Sequence, residues 1–243
     1  MMTVEEAIVG RRSIRAFKSD PVSRELVERI LKIASRAPSG SNIQPWYVHV
    51  LAGSAKDALV KDLMQAHERN VLGQHEYQYD PNPWFEPYQS RRRKVGWDLY
   101  GAIGIQRGET ERIMRQVGRN YAFFDAPIGM IFTIETRLPV GGWLDYGMFM
   151  QNIMIAARGF GLDTCAQQAF SRFSKIIREH IPCPEGHTIM CGMALGYADM
   201  TKPENRFEAE RRTVDDIATF TGIYRPRRCR WRADRRCQRC ADA

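Results

Sequence analysis

Apolar residues recur at helical spacing along most of the chain, and short runs of β-branched and aromatic residues lie between these stretches. The helical spacing predicts helices at about residues 3–9, 24–37, 55–68, 109–119, 144–158 and 171–179. The β-rich runs predict strands at residues 46–53, 126–135 and 190–198. Residues 213–220 fit either a helix or an extended segment. Because helices outnumber strands and the two are mixed along the chain, the pattern indicates the α+β class.

Two of the predicted helices have informative apolar faces. In the first helix, Val4, Ile8 and Ala7 are the residues expected to face the interior. The helix at residues 144–158 is apolar on most faces, which predicts a central position in the core.

Residues 74–106 follow neither the helical nor the strand period. Aromatic residues alternate there with prolines and with a basic run at residues 91–94. We expect an excursion of short helices and loops over the surface. Such a segment suits a lid whose flat rings stack on a flat substrate, although scattered surface packing explains it equally well. The candidate substrate contacts are Trp84, Phe85, Tyr88 and Trp97.

The formal net charge of +8 belongs mostly to residues 225–243, where eight arginines and two aspartates contribute +6. The rest of the chain is close to neutral, so the basicity indicates little about what the body binds. A nucleic-acid-binding role would depend on this tail, which has one aromatic residue and no recognisable fold, and we expect none. The tail is predicted to be disordered or foreign to the domain.

Cysteine usage and apolar run lengths bear on location. Cys165, Cys183 and Cys191 occur singly, which is typical of a reducing compartment. Cys237 and Cys240 form one C-x-x-C pair, but a zinc site needs four ligands, so no metal is expected. No apolar run reaches the roughly 18 residues of a membrane span, and the N-terminus lacks a signal-peptide pattern. We therefore expect a cytoplasmic protein with no membrane partner.

Two short segments carry candidate chemistry. The first, RRSIR at residues 11–15, places three guanidinium groups and one hydroxyl just after the first helix, which suits a phosphate. The second, PSGSNIQPW at residues 38–46, offers backbone N–H groups and short polar side chains to a ligand. Taken separately, the first segment fits a solvated surface and the second an ordinary helix-to-strand loop.

Taken together, RRSIRAF at residues 11–17 and PSGSNIQPW at residues 38–46 resemble the nitroreductase family of FMN-dependent oxidoreductases. Three further segments fit the pattern of this family: DYGMFMQNIMIAARGFGLDTCAQQAF at residues 145–170, GMALGYAD at residues 192–199 and NRFEAERRTVDDI at residues 205–217. Since the resemblance covers roughly residues 3–223, we expect a single domain over residues 1–224, ahead of the tail.

The resemblance implies a central mixed or antiparallel sheet flanked by helices, in an intertwined homodimer that binds FMN. The arginines and the serine of RRSIR, with Arg211, would approach the phosphate, the ribityl chain and the pyrimidine edge. Residues 38–42 would come from the other subunit. Gln168 and Ala169 depart from the family, which often has an acidic residue and a glycine there. The implied FMN-binding residues are Arg11, Arg12, Ser13, Arg15, Pro38, Ser39, Gly40, Ser41, Asn42, Gln44, Gln167, Gln168, Ala169 and Arg211.

The implied activity is electron transfer from NADH or NADPH, through FMN, to a small aromatic acceptor in the same pocket, by a ping-pong mechanism. The leading expectation is reduction of a nitroaromatic compound through nitroso to hydroxylamine products. The alternative acceptors are a quinone, an enone, a halogenated aromatic compound or free flavin. No side chain is expected to be catalytic, because N5 of the flavin carries the hydride. The early chain lacks a G-x-G-x-x-G motif, so a Rossmann dehydrogenase is not indicated.

Overall fold

The computed structural model of the protein describes residues 2–71 and 73–223. The chain divides into two units after Glu208. The predicted single domain of residues 1–224 stays a prediction, and the predicted tail at residues 225–243 lies outside the described residues. Within the described part, no helix is long and apolar enough to cross a membrane.

Four strands among the described residues form one antiparallel sheet in the order β1-β2-β4-β3. Three of them match the predicted strands. The short strand β3 was not predicted, because its sequence DTCAQ is mostly polar and reads as a loop after the long helix. The strands are β1 at Tyr47–Ala52, β2 at Ile128–Glu135, β3 at Asp163–Gln167 and β4 at His187–Gly196.

The helices agree with the predicted ones except within residues 74–106. There a single 15-residue helix, α4, replaces the expected short pieces, and it has no buried residue. The α-helices are α1 at Val4–Gly10, α2 at Arg24–Ala34, α3 at Gly53–Glu68, α4 at Tyr88–Ala102, α5 at Thr110–Gly118, α6 at Val140–Gly159, α7 at Ser174–His180 and, in the second unit, α8 at Val214–Ile217. Short 3-10 turns lie at Gly40–Asn42, Phe123–Asp125, Gln168–Phe173 and Pro203–Asn205.

The sheet separates two apolar layers. Side chains of β2 alternate between them, so that Met130 and Phe132 pack with α2 and α6 while Ile131 packs with α3 and α7 on the other face. The α+β class with a central antiparallel sheet is thus confirmed. The expected core position of α6 is also found, since Phe149 and Ile153 are buried.

The first helix buries only one of the three residues that were expected to face inward. Val4 and Ile8 are 72% and 52% exposed, and the buried residue of α1 is Ala7. The expected inward position of Ala7 is thus found, while the expectation that Val4 and Ile8 face the interior is wrong for the single chain. Val140 and Leu144 at the start of α6 are likewise exposed, by 84% and 71%. These four exposed side chains are apolar residues of the kind that a protein partner often covers.

Candidate cofactor site

The RRSIR segment is extended and lies beside β3. Arg11 ends α1 in an extended conformation, and the backbone N–H of Ile14 donates to the Thr164 carbonyl at 3.1 Å. Ser13 forms a parallel bridge with Thr164. Ile14 and Ala16 are buried, and alternate residues of an extended chain face opposite sides. Arg11, Ser13 and Arg15 therefore form a row on the side away from the core, which we call the arginine row.

A buried asparagine fixes this segment. Asn205 is fully buried, and its Oδ1 accepts the backbone N–H of Arg15 at 2.7 Å. Its Nδ2 donates to the carbonyls of Ala16 and Asp199 at 2.7 and 2.9 Å. Sequence reasoning did not assign Asn205 a role of its own, although it opens the segment NRFEAERRTVDDI.

The charged groups of the segment have different partners. Arg12 pairs with the Glu208 carboxylate and also donates to the Asn205 carbonyl at 3.4 Å. Arg15 instead donates through Nη1 to the neutral carbonyl of Ser13 at 3.2 Å. The charge of Arg12 is thus already partly balanced, while that of Arg15 rests against a neutral group.

A thiol lies beside the arginine row. Burial raises the pKa of the Cys165 thiol, while Arg15, the Ser13 hydroxyl and Arg11 act in the opposite direction. The net effect keeps the thiol neutral. Cys165 therefore adds no negative charge to the row, which stays cationic.

The end of β3 and the turn that follows it place two side-chain amide groups in the candidate site. Gln167 is buried, and its Nε2 donates to the Asn120 carbonyl at 2.7 Å. Within the described part of the chain, the Oε1 of Gln167 is buried without a hydrogen-bond partner. The Gln168 amide is turned to the Tyr77 hydroxyl at 2.6 Å. Ala169 is partly buried against the core.

The loop at residues 38–44 is a strained turn on the surface. Ser41, Asn42 and Gln44 have φ of 50°, 56° and 48°, in the left-handed region that non-glycine residues seldom adopt. The backbone N–H of Gly40 donates to Asp145 of α6 at 3.0 Å, and the Ser39 hydroxyl accepts the backbone N–H of Gln44 at 3.0 Å. Pro38, Ser41 and Asn42 are exposed. The assignment of this loop to the site of a partner subunit stays a prediction.

The aromatic candidates on the excursion pack with one another and with arginines. The guanidinium of Arg92 lies 5.0 Å from the ring centre of Trp84, and that of Arg107 lies 5.0 Å from the ring centre of Trp97. Phe85 and Tyr88 meet edge to face, with ring centres 5.1 Å apart. The role of these four rings as substrate contacts stays a prediction.

Arg211 belongs to the second unit and is exposed. Its Nη1 donates to the carbonyls of Ala209 and Glu210 at 2.9 and 3.0 Å. The expectation that Arg211 joins the arginine row at a phosphate stays a prediction.

The chemical groups around the arginine row match those of FMN. Guanidinium groups and a hydroxyl match a phosphate, and the unpartnered Gln167 Oε1 can accept a hydrogen bond from a ring N–H. A metal ion has no comparable site, since the described residues contain no cluster of three His, Cys, Asp or Glu side chains that could hold one.

Comparison with known proteins agrees with this fold. Residues 8–197 match the model of the nitroreductase family. The nitrobenzene nitroreductase of Ectopseudomonas oleovorans is 38% identical over 89% of this chain and 96% of its own length. The 4-nitrobenzoate reductase of Pseudomonas putida is 38% identical over 91% of this chain and 96% of its own length.

The structural comparison gives the same result. The crystal structure of the FMN- and NADPH-dependent nitroreductase NfnB from Sphigopyxis sp. strain HMH superimposes with a TM-score of 0.87 and 33% identity. The match covers 91% of this chain and 100% of that chain. The family match, the near full-length relatives and the shared architecture confirm the resemblance carried by RRSIRAF and PSGSNIQPW, and the chain belongs to the nitroreductase family.

Proposed function

We propose that this chain is an FMN-dependent oxidoreductase that reduces nitroaromatic compounds through nitroso to hydroxylamine products, with NADH or NADPH as the electron donor. The observation that carries the proposal is the arginine row, in a chain whose relatives include reductases of nitrobenzene and 4-nitrobenzoate. FMN would supply the redox chemistry when bound, since one NADH or NADPH would provide two electrons for the nitro-to-nitroso step and a second would provide two for the nitroso-to-hydroxylamine step.

The protein's own residues would bind FMN and orient it. Arg11 and Arg15 hold the phosphate by charge-assisted hydrogen bonds, and Ser13 adds a neutral donor. Arg12 contributes its charge only in part, because it is already paired with Glu208. We also propose that Arg211 contributes to binding of the phosphate.

The remaining binding groups belong to the ring end of the cofactor. Gln167 would accept from a ring N–H through its unpartnered Oε1. The backbone of Gln168 and Ala169 would hold the flavin ring. The rings of the excursion at residues 74–106, with Trp84, Phe85, Tyr88 and Trp97, stack on the aromatic acceptor.

The functional form is a homodimer. Val4 and Ile8 of α1, with Val140 and Leu144 of α6, expose apolar side chains that a second copy would cover. In that dimer, the loop at residues 38–44 approaches the FMN of the other subunit. We further propose a cytoplasmic location and one domain over residues 1–224, with the tail at residues 225–243 outside it and no nucleic-acid partner.

The test begins with the absorbance spectrum of the purified protein. We expect a yellow protein that NADH or NADPH bleaches and that nitrobenzene and 4-nitrobenzoate reoxidise faster than a quinone does. A colourless protein that also fails to take up added FMN would refute the proposal, and faster reoxidation by the quinone would overturn the choice of acceptor.

The phosphate assignment has its own test and control. Arg15→Ala should raise the dissociation constant of FMN by at least about tenfold, since a charge-assisted hydrogen bond contributes about 1.5–3 kcal/mol. Arg137→Ala is the matched control, because Arg137 is exposed and pairs with Glu135 at 2.9 Å outside the arginine row. Equal FMN affinities for both variants would show that the phosphate lies elsewhere.

A further inference from the structure

The segment at residues 73–77, at the base of the aromatic excursion, lies across the 3-10 turn at Gln168–Phe173. Gly73 packs so closely on this turn that a Cβ atom there would lie 2.2 Å from the Arg172 carbonyl oxygen. The ring Nδ1 of His75 lies 2.7 Å from the Ser171 hydroxyl. The 73–77 segment thus contacts the turn through both Gly73 and His75.

Glu76 of the 73–77 segment binds α7 and β4. The Glu76 carboxylate forms a two-pronged ion pair with Arg178 at 2.9 and 3.1 Å. It also accepts the backbone N–H of Ile189 at 2.8 Å. Glu76 therefore fixes the segment to both α7 and β4, and these contacts hold it against the turn.

Tyr77 and Gln168 share an unusual partner. The pairing of β2 with β4 passes from Cys191 to Ile189 and skips Met190, which leaves the Met190 carbonyl outside the ladder. The Tyr77 hydroxyl donates to this carbonyl, and the Gln168 Nε2 lies 3.3 Å from it. The same Nε2 lies 2.6 Å from the Tyr77 hydroxyl oxygen, so the bulge, the tyrosine and the glutamine form one network.

This network occupies the whole donor capacity of the Gln168 side chain. An amide nitrogen carries two hydrogens, and Nε2 has three acceptors within reach, the third being the Ser171 hydroxyl at 2.9 Å. Burial raises the pKa of Tyr77, so the hydroxyl stays protonated and keeps donating to Met190. The Gln168 Nε2 is therefore committed to this network, and the side chain holds the start of the turn against β4.

We propose that Tyr77 is a positioning residue, which holds the Gln168 side chain against the β4 bulge and thereby fixes the backbone of Gln168 and Ala169 at the FMN ring. The inference rests on the proposed function, since it requires FMN at that turn. It also links the base of the aromatic excursion to the cofactor, because Tyr77 belongs to the first and contacts the turn that faces the second.

The test uses the full-length apoprotein titrated with FMN. We expect Tyr77→Phe to raise the dissociation constant of FMN by about two- to tenfold, the range that the loss of one hydrogen bond produces, and to change the shape of the visible absorption band of the bound flavin. The matched control is Tyr79→Phe, because Tyr79 is 63% exposed and should bind FMN like the parent.

A double variant tests whether Tyr77 acts through Gln168. Gln168→Met removes the amide, and we expect the variant Tyr77→Phe/Gln168→Met to have the same FMN dissociation constant as Gln168→Met alone. Effects that add in the double variant would overturn the proposal. If Tyr77→Phe does not fold, Gln168→Met alone should still show the weaker binding and the altered spectrum, and parent-like values for it would also overturn the proposal.

The outcomes separate this inference from the proposed function. A parent protein that takes up no FMN refutes the function itself. A parent that binds FMN beside a Tyr77→Phe variant with unchanged affinity and spectrum, even one that unfolds at lower urea concentration, limits Tyr77 to a structural role and overturns only the positioning role.

Discussion

Replacing Asn205 with alanine removes three hydrogen bonds that hold the arginine row in place. The lost bonds are those to the backbone N–H of Arg15 and to the carbonyls of Ala16 and Asp199, all between 2.7 and 2.9 Å long. Asn205 is 0% exposed, so its partners are left in a site that water reaches poorly. The substitution therefore acts on the stability of the fold and on the FMN site together.

The size of the stability effect follows from the groups left without partners. An unsatisfied buried donor or acceptor costs about 1–3 kcal/mol, and relaxation of the surroundings recovers part of this cost. We expect Asn205→Ala to lower the free energy of unfolding by about 2–4 kcal/mol. Urea denaturation of the apoprotein, followed by circular dichroism, measures this difference.

The effect on binding comes from lost order in the segment that carries Ser13 and Arg15. Fixing the backbone of one residue costs about 1–2 kcal/mol, so reordering a single residue on binding weakens FMN affinity by about tenfold. Titration of the apoprotein with FMN, followed by quenching of flavin fluorescence, gives the dissociation constant.

A second asparagine provides the control for Asn205→Ala. Asn152 donates one bond of 3.3 Å to the Ala34 carbonyl, and Asn152→Ala should cost about 1 kcal/mol or less, with no change in FMN affinity. If Asn205→Ala were as stable as Asn152→Ala, the hydrogen-bond argument would be wrong. If Asn205→Ala were destabilised but bound FMN like the parent, Asn205 would support the fold without contributing to the cofactor site.

Four further substitutions have expected outcomes. Gly192→Ala should destabilise by about 1–3 kcal/mol in urea denaturation, because its Cβ would lie 2.5 Å from the Phe170 ring, whereas Gly101→Ala in α4 meets open space and should stabilise by about 0.5–1 kcal/mol. Burial lowers the pKa of His49 below its value of 6.5 in the unfolded chain, so its contribution to stability is present above pH 6.5 and is lost as the pH falls towards the folded-state pKa. The free energy of unfolding of His49→Leu should therefore fall less than that of the parent between pH 7.5 and pH 5.5. An equal fall in both proteins would contradict this. Leu144 is 71% exposed, so Leu144→Glu should convert the proposed homodimer to a monomer in light scattering, and a variant that remained dimeric would show that the start of α6 lies outside the interface.

The elements that the sequence predicted well are those with a continuous buried face. Strand β2 is buried along seven of its eight residues, and α6 buries Phe149 and Ile153 at helical spacing. Strand β3 escaped detection because its five residues are mostly polar and are stabilised by partners outside the strand, such as Arg158, which pairs with Asp163 at 2.8 Å. Helix α4 has no buried face at all, so no periodic signal was available for it.

The candidate site was likewise predictable only in part from the sequence. The sequence identified Ser13 and Arg15 as ligand-binding candidates from residue type and order. It could not show that they share one side of an extended segment, because that arrangement depends on Thr164 and on Asn205, which lies 190 positions from Arg15. The charge balance of Arg12 was equally hidden, since Glu208 is 196 positions away. Contacts between distant positions leave no trace in local spacing.

The departure from the family at position 168 has a physical explanation in the same network. A carboxylate at this position could accept from the Tyr77 hydroxyl, but it would then face the Met190 carbonyl with no hydrogen to offer. Two acceptors would oppose each other at the β4 bulge, where Met190 is only 6% exposed. The amide of Gln168 avoids this conflict because Nε2 donates to both oxygens. The bulge in β4, the tyrosine at the base of the excursion and the glutamine at position 168 are therefore mutually dependent features of this chain.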